Sequence, residues 1–286
     1  MNSDDETRVD ESSARASESS ASPQPPLSEP RDERDIARST RRALFGAALA
    51  AGAGLASWQW LRTRRLDSGI PWPLRRVLET NEQLARDVFS HDSRTPEYPF
   101  GSARKNPRVN GLYGLKSDLD LSQWNLRVSG VNAGDGNATV TLDDIKALPR
   151  ADLTMRLCCI EGWSILVNWS GVRFADFLKA YPPRTRSGDA VDPTKPADLP
   201  EYVAMQTPDA AYYVGLDMAS ALHPQTLLAY EIDCQPLTIK HGAPLRLVIP
   251  TKYGVKNIKR IGNITYTYTR PRDYWAERGY DWYAGL

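Results

Sequence analysis

Residues 71–91 repeat apolar side chains at helical spacing, with Leu74, Val77 and Leu78 followed by Leu84, Ala85, Val88 and Phe89. The pattern predicts one amphipathic helix whose apolar side packs onto the domain that follows. The next stretch, to Gly114, is punctuated by Pro and Gly, as in Thr95-Pro96-Glu97-Tyr98-Pro99-Phe100-Gly101. It is expected to be an irregular loop of the kind that carries ligand contacts. From Trp124 the apolar runs shorten, and strands are predicted at 126–130, 138–142, 153–157, 202–205, 227–232, 245–249 and 261–269. Thr141 ahead of Asp143 and Asp144 predicts a short N-capped helix through Leu148 that Pro149 stops. Residues 174–180 predict a second helix, closed by Pro182-Pro183, so that the order after the 153–157 strand reads strand, turn, short helix. No repeat period and no regular alternation of long helices and strands occurs. The class expected is α+β, with mixed or mostly antiparallel sheets and short surrounding helices.

The N-terminal segment follows another pattern. Residues 1–40 contain no aromatic residue and only Met1, Val9, Leu27 and Ile36 as large apolar side chains, too little to offset the entropy of ordering. Disorder is expected there. Arg41-Arg42, within Ser39-Thr40-Arg41-Arg42-Ala43-Leu44-Phe45, then precede an uncharged, Ala- and Gly-rich run at 43–61. Two adjacent arginines before such a run resemble a twin-arginine export signal. The alternative is a membrane-spanning helix, because the run approaches the roughly 20 residues needed to cross a bilayer. No clear A-x-A cleavage site precedes Trp58-Gln59-Trp60, and these aromatics with Arg62, Arg64 and Arg65 would also suit a membrane interface as an uncleaved anchor. The expected organisation is a disordered segment (1–40), a signal or anchor (41–65) and one globular domain (66–286).

Composition narrows the chemistry. The 286 residues are 41% hydrophobic, enough to bury a full core, and 36 Lys and Arg offset 35 Asp and Glu. That balance gives no sign of a nucleic-acid groove. Only Cys158, Cys159 and Cys234 are cysteines, which excludes a disulfide-stapled scaffold and a zinc module of paired CxxC spacing. Cys158 and Cys234 are read as small structural fillers. Cys159, in a turn after a buried strand and just ahead of Gly162, has the setting of a fixed, partly accessible thiolate. Soft thiolates suit molybdenum, copper(I), zinc and iron–sulfur centres, of which the last three usually need more thiolates or histidines than are grouped here. Downstream, Arg246 and Lys259 among Gly-containing turns would suit a phosphate, or would be solvated basic residues beside strand ends. His241 is equally open between a hydrogen-bonding residue and a ligand.

Four ordered segments then agree with one family. They are Met155-Arg156-Leu157-Cys158-Cys159-Ile160-Glu161-Gly162-Trp163-Ser164, Tyr202-Val203-Ala204-Met205-Gln206-Thr207, His241-Gly242-Ala243-Pro244-Leu245-Arg246 and Tyr253-Gly254-Val255-Lys256-Asn257-Ile258-Lys259. Together they resemble the molybdopterin-binding domain of the sulfite oxidase superfamily, nearest to the bacterial periplasmic branch that includes the catalytic subunit of the methionine sulfoxide reductase system. The resemblance runs from about Tyr98 to the C-terminus. It implies a sulfite-oxidase-type fold over residues 66–286, a molybdenum-molybdopterin cofactor, and Cys159 as the thiolate on the metal. Cys158 stands where relatives often have Arg. The family further implies cofactor contacts by Tyr98, Pro99, Thr207, His241, Arg246, Asn257, Ile258 and Lys259, with His241 standing where the methionine sulfoxide reductase branch has Asn.

The reaction so implied moves an oxygen atom to or from a small-molecule donor or acceptor, with Glu161 as a proton carrier or as a brace of the turn. Sulfite-oxidising relatives usually carry an Asn-Arg pair soon after the metal cysteine. This chain has Glu161-Gly162-Trp163 there, which points to reduction of a neutral S-oxide, the alternative being sulfite-oxidase-like oxidation. No CxxCH haem motif is present, so electrons are expected to pass through a separate protein, such as a membrane cytochrome or quinone-linked subunit. The competing class is a membrane-tethered binding module without turnover.

Overall fold

The computed structural model describes residues 33–286 apart from 68, 91, 104, 110, 117–118 and 193–194. The chain divides into two units, one described from Glu33 to Trp58 and one running from Gln59 to Leu286. Helix α1 (Glu33–Arg62) makes up the first unit, with Leu44, Phe45, Leu49 and Leu55 exposed along it. Residues 33–40, expected to lack regular structure, are its first turns. Glu, Arg and Ala favour helix locally without a core, and the Ser39 and Thr40 hydroxyls donate back to the Ile36 carbonyl at 2.9 and 2.8 Å. Residues 1–32 of that stretch lie outside the described residues. Among the described residues no helix is long and apolar enough to cross a membrane.

In the second unit, helix α2 (Trp72–Val88) forms where the spacing predicts it, but not with the predicted side inward. Leu74, Val77, Leu84 and Val88 are all exposed, Val88 by 82%. The buried positions are Arg75 and Glu82. Arg75 donates to the Ala276 carbonyl at 2.7 Å, and the Glu82 carboxylate accepts from Arg86 at 2.8 Å and from Arg270 at 2.5 Å. Charged, hydrogen-bonded contacts with the C-terminal segment thus outbid the apolar stripe in orienting the helix, an outcome that spacing alone cannot register.

Two five-stranded sheets form the frame. The strands of the first are β1 (Leu126–Ser129), β2 (Asn137–Val140), β5 (Tyr202–Gln206), β6 (Tyr213–Asp217) and β9 (Asn263–Thr267), those of the second β3 (Arg150–Cys158), β4 (Ser164–Arg173), β7 (Leu227–Ile232) and β8 (Arg246–Val248) with the short edge Gln235–Pro236. The first has the order β2-β1-β9-β5-β6 and is antiparallel except where β9 runs parallel to β1. In the second, β7 is flanked by β4 and β8 and extended by the edge pair, and β3 closes the far side of β4. The α+β class with mixed sheets is what the chain forms. Short helices α3 (Leu142–Lys146) and α4 (Phe174–Ala180) stand where predicted, α3 with a capping box between Thr141 and Asp144.

Two strands were not anticipated. Both β4 and β6 mix polar and apolar residues, as in Ser164-Ile165-Leu166-Val167-Asn168-Trp169, and buried partners on both sides hold β4 extended. The order after β3 is therefore strand, turn, strand. A bulge at Ser170/Gly171 lets β4 approach β7 so closely that a Cβ on Gly171 would lie 2.1 Å from the Leu228 carbonyl oxygen. The larger apolar core joins β1, β5, β6, β9 and α4 through Leu126, Phe174, Phe177, Met205 and Ile264, and a smaller one lies around Met155, Val167, Trp169 and Ala229.

The orientation of α2 generates a test by urea denaturation. Leu84→Ser should change stability by under about 0.5 kcal/mol, as for an exposed position. Glu82→Ala, which strands two arginines, should cost about 1–3 kcal/mol. A helix packed by its apolar stripe would give the opposite ranking.

Candidate active site

Cys159 sits in the tight turn that joins β3 to β4. Its N–H donates to the Trp163 carbonyl at 2.8 Å, and the Gly162 N–H donates back to the Cys159 carbonyl at 3.1 Å. Gly162 takes φ +85°, a value for which glycine carries no steric penalty, so the loop closes in a single turn after the Cys158–Ser164 strand pair. Cys159 is buried, Cys158 is half-buried in that last strand pair, and Cys234 is exposed at a turn with φ +58°. The reading of Cys234 as a buried filler is thereby corrected: the turn between β7 and the Gln235–Pro236 edge points it to solvent.

Cys159 borders a cleft of about 290 Å³. Glu161, His241, Arg246, Asn257 and Lys259 line it as well, so one cleft brings together six of the residues singled out from the sequence. The others stand outside its lining. Tyr98 donates its N–H to the Thr154 carbonyl at 3.0 Å and lies under Arg156, Pro99 is exposed, and Ile258 is fully buried with its carbonyl accepting from Leu247. Thr207 is also fully buried. Its hydroxyl accepts from the Tyr212 N–H at 3.1 Å and donates to Asp209 at 2.6 Å, so it fixes the turn that presents Tyr212 to the cleft.

Arg246 is the electrostatic centre. It is 4% exposed, its Nη1 donates to the His241 carbonyl at 3.0 Å, its Nη2 to the Asn257 carbonyl at 3.2 Å, and its guanidinium lies 4.5 Å from the Trp169 ring centre. Burial alone pushes its pKa down to about 9, with no carboxylate among the causes. Lys259 donates to the Gly111 and Lys240 carbonyls, both at 3.0 Å, and burial with Arg246 nearby pushes its ammonium down to about 7. Burial likewise holds His241 below the ordinary imidazole value, and its ring nitrogens meet Thr238 Oγ1 and the Pro107 carbonyl. Asn257 is spent on the frame, accepting from Ile249 N–H at 2.9 Å and donating to the Tyr253 carbonyl. A buried guanidinium whose donors go to neutral carbonyls, with a half-buried ammonium beside it, makes a receptor for an anion.

The loop carrying Asn257 and Lys259 is anchored by Lys256, whose Nζ donates to Asp273 at 2.6 Å and to the Gly215 carbonyl at 2.9 Å, all buried. Next to it Gly254 rests on the Cys158–Cys159 peptide, where an added Cβ would lie 3.8 Å from Cys159 Cα. The Tyr212 hydroxyl donates to the Val255 carbonyl, and Tyr113, Trp275 and Tyr280 complete a ring-lined wall with edge contacts of 5.7 Å (Tyr113–Trp275) and 5.1 Å (Trp275–Tyr280). Among the described residues Glu161 is the one carboxylate that lines the cleft. Its Oε2 accepts from Trp163 Nε1 at 2.9 Å, and Arg108 lies over the Trp163 ring. The aromatic wall and Trp169 were missed from the sequence. They are spread from 113 to 280, so no local spacing signals them. Among the described residues no group of three His, Cys, Asp or Glu could hold a metal ion, so a metal at Cys159 would need ligands of its own.

Comparison with known proteins gives the same centre of gravity. Residues 113–275 match the model of the family described as the oxidoreductase molybdopterin binding domain. The chain is 37% identical to the protein-methionine-sulfoxide reductase subunit YedZ1 of Azospira oryzae, over 69% of this chain and 70% of that one. It is 32% identical to the protein-methionine-sulfoxide reductase catalytic subunit MsrP of Xanthomonas axonopodis pv. citri, over 88% and 77% of the two chains. Among solved structures, the sulfane dehydrogenase SoxCD of Paracoccus pantotrophus is similar at 17% identity and a TM-score of 0.44, covering 63% of this chain and 46% of that one.

The depressed lysines set a pH dependence for ligand-free protein. Lys259 and the buried Lys252 both hold near 7 when folded, against an ordinary 10.5. Above pH 7 the unfolded chain therefore binds more protons than the folded one, and stability rises with pH. Urea midpoints should increase from pH 7 to 9, and Lys259→Met should flatten part of that slope, leaving the share due to Lys252.

Proposed function

The chain belongs to the family of oxidoreductase molybdopterin-binding domains, and from that premise we propose that it is the catalytic component of an extracytoplasmic system that reduces S-oxides, methionine sulfoxide in proteins first among them. The observation that carries the reading is the cleft itself, where a cysteine at a rigid turn, the buried Arg246 guanidinium held on backbone carbonyls and the half-buried Lys259 border one space. Those residues fit the family's cofactor. Arg246 and Lys259 would hold its phosphate, with His241 beside them, and Cys159 would give the thiolate, which a centre bringing its own dithiolene sulfurs requires only once. When bound, molybdenum-molybdopterin supplies two-electron oxygen-atom transfer.

The chain's own residues then divide the remaining work. Reduction of an S-oxide takes two electrons and two protons and releases water and the thioether. Glu161 Oε2 is engaged by Trp163, which leaves Oε1 as the atom that holds a proton for the departing oxygen. Tyr113, Trp275 and Tyr280 offer ring faces and edges to the thioether side of such a substrate, with the favourable sulfur–aromatic contact that methionine makes. Sulfite is disfavoured because, with Arg246 and Lys259 given to the phosphate, Arg108 is the one Arg or Lys left in the cleft lining among the described residues, and a small dianion calls for more than one such charge. That the relatives are a reductase subunit and a catalytic subunit supports electron delivery by a separate protein, such as a membrane cytochrome or quinone-linked subunit.

The metal ligand is tested by paired variants. Cys159→Ser should abolish S-oxide reduction with an artificial electron donor, because a hard hydroxyl replaces a soft thiolate, while Cys158→Ser should keep most activity. Equal loss in both, with folding intact, would reject Cys159 as the ligand. Export is tested separately. Replacing Arg41-Arg42 by two lysines should leave folded protein in the cytoplasm, and an unchanged periplasmic yield would reject the twin-arginine route.

A further inference from the structure

One polar group in the cleft is used by neither the motifs nor the mechanism. Trp169 lies within β4, is 2% exposed and lines the cleft, yet among the described residues nothing accepts a hydrogen bond from its Nε1. Its cross-strand neighbours, Leu153 on β3 and Ile232 on β7, have apolar side chains and offer no acceptor there. An indole N–H is a donor only, and leaving one buried and unmet is costly enough that folded proteins rarely do so without a reason. A ring of the same shape without the N–H would fill the position as well.

The surroundings say what kind of acceptor is missing. Arg246 lies over the Trp169 ring at 4.5 Å, and its donors go to the carbonyls of His241, Asn257 and, at 3.4 Å, Leu247. The guanidinium therefore brings positive charge to the indole, and both groups border the same cleft. We propose that Trp169 is a further cofactor-binding residue: its Nε1–H donates to an oxygen on the phosphate-bearing end of the molybdopterin, while its ring face carries Arg246. A phosphate oxygen answers both features at once, since it accepts from the indole and is drawn to the charge above it. This rests on the reading that Arg246 faces the cofactor.

Trp169→Phe removes the N–H and keeps an aromatic face under Arg246, and the void left by its smaller ring is common to the cofactor-free and cofactor-loaded protein. Parent, Trp169→Phe and Arg246→Ala are purified as holoenzymes from a cofactor-competent host, and pterin release on dialysis is followed by the fluorescence of the oxidised pterin. Trp169→Phe should release pterin about tenfold faster than the parent, the effect expected for one hydrogen bond to a charged acceptor. Trp169→Phe should lower the urea midpoint of the holoenzyme more than that of the cofactor-free protein, since the void is common to both forms and the N–H has no partner until the cofactor binds. Equal release by parent and Trp169→Phe, with Arg246→Ala faster, would overturn this inference alone. Equal release by all three would remove the premise about Arg246 as well. An equal drop of the urea midpoint in the two forms would make the indole a purely structural residue and overturn the proposal.

Discussion

A guanidinium taken out of water with no carboxylate to meet it is the constraint around which the site is built. Arg246 must satisfy its donors on backbone carbonyls, and those carbonyls belong to residues 241 and 257, on either side of the strand that carries it. One buried cation thus ties two turns together, and it lies over Trp169 on the neighbouring part of the same sheet. The arrangement is costly for the ligand-free protein, as the depressed affinity of Arg246 and Lys259 for protons records. An anion that restores both charges would recover that cost, so the ligand-free fold already favours negative charge in this cleft.

Two separate frames meet at this point. The β3–β4 hairpin presents Cys159 from a turn closed by its own backbone, while the 254–259 loop presents Asn257 and Lys259 and is held by the buried Lys256–Asp273 pair. They touch where Gly254 lies against the Cys158–Cys159 peptide. That contact, where an added Cβ would stand at ordinary van der Waals distance, sets the sulfur and the cationic end on a single cleft. Rigid elements on both sides suit a centre in which ligand positions decide reactivity.

The protein's surface follows a less familiar logic. Helix α2 turns Arg75 and Glu82 inward and leaves Leu74, Val77, Leu84 and Val88 in solvent, because the segment beyond Arg270 supplies charged and carbonyl partners that fix the helix by its polar side. The same C-terminal segment contributes Asp273, Trp275 and Tyr280, so one stretch of chain braces the helix, anchors the 254–259 loop and lines the cleft.

By itself the sequence determined the family, the α+β class, most strands and the capped helices, since each depends on neighbouring residues. Phe174–Ala180 and Leu227–Ile232 fall where periodicity and breakers place them, and the runs around Cys159, Arg246 and Lys259 carry the cofactor's signature in contiguous residues. Tertiary structure alone decided the rest. Strand β4 is extended because partners on both sides bury it and β6 because it pairs with β5 over the core, Thr207 serves Tyr212 instead of facing the cleft, and α2 is oriented by charges some 190 residues away, as the Glu82–Arg270 contact at a separation of 188 shows. The wall of Tyr113, Tyr212, Trp275 and Tyr280, and the unmet N–H of Trp169, exist only once distant segments pack together. Local pattern encodes what a residue can do with its neighbours, whereas burial and hydrogen-bond satisfaction are properties of the whole packed chain, and they assign these residues their places.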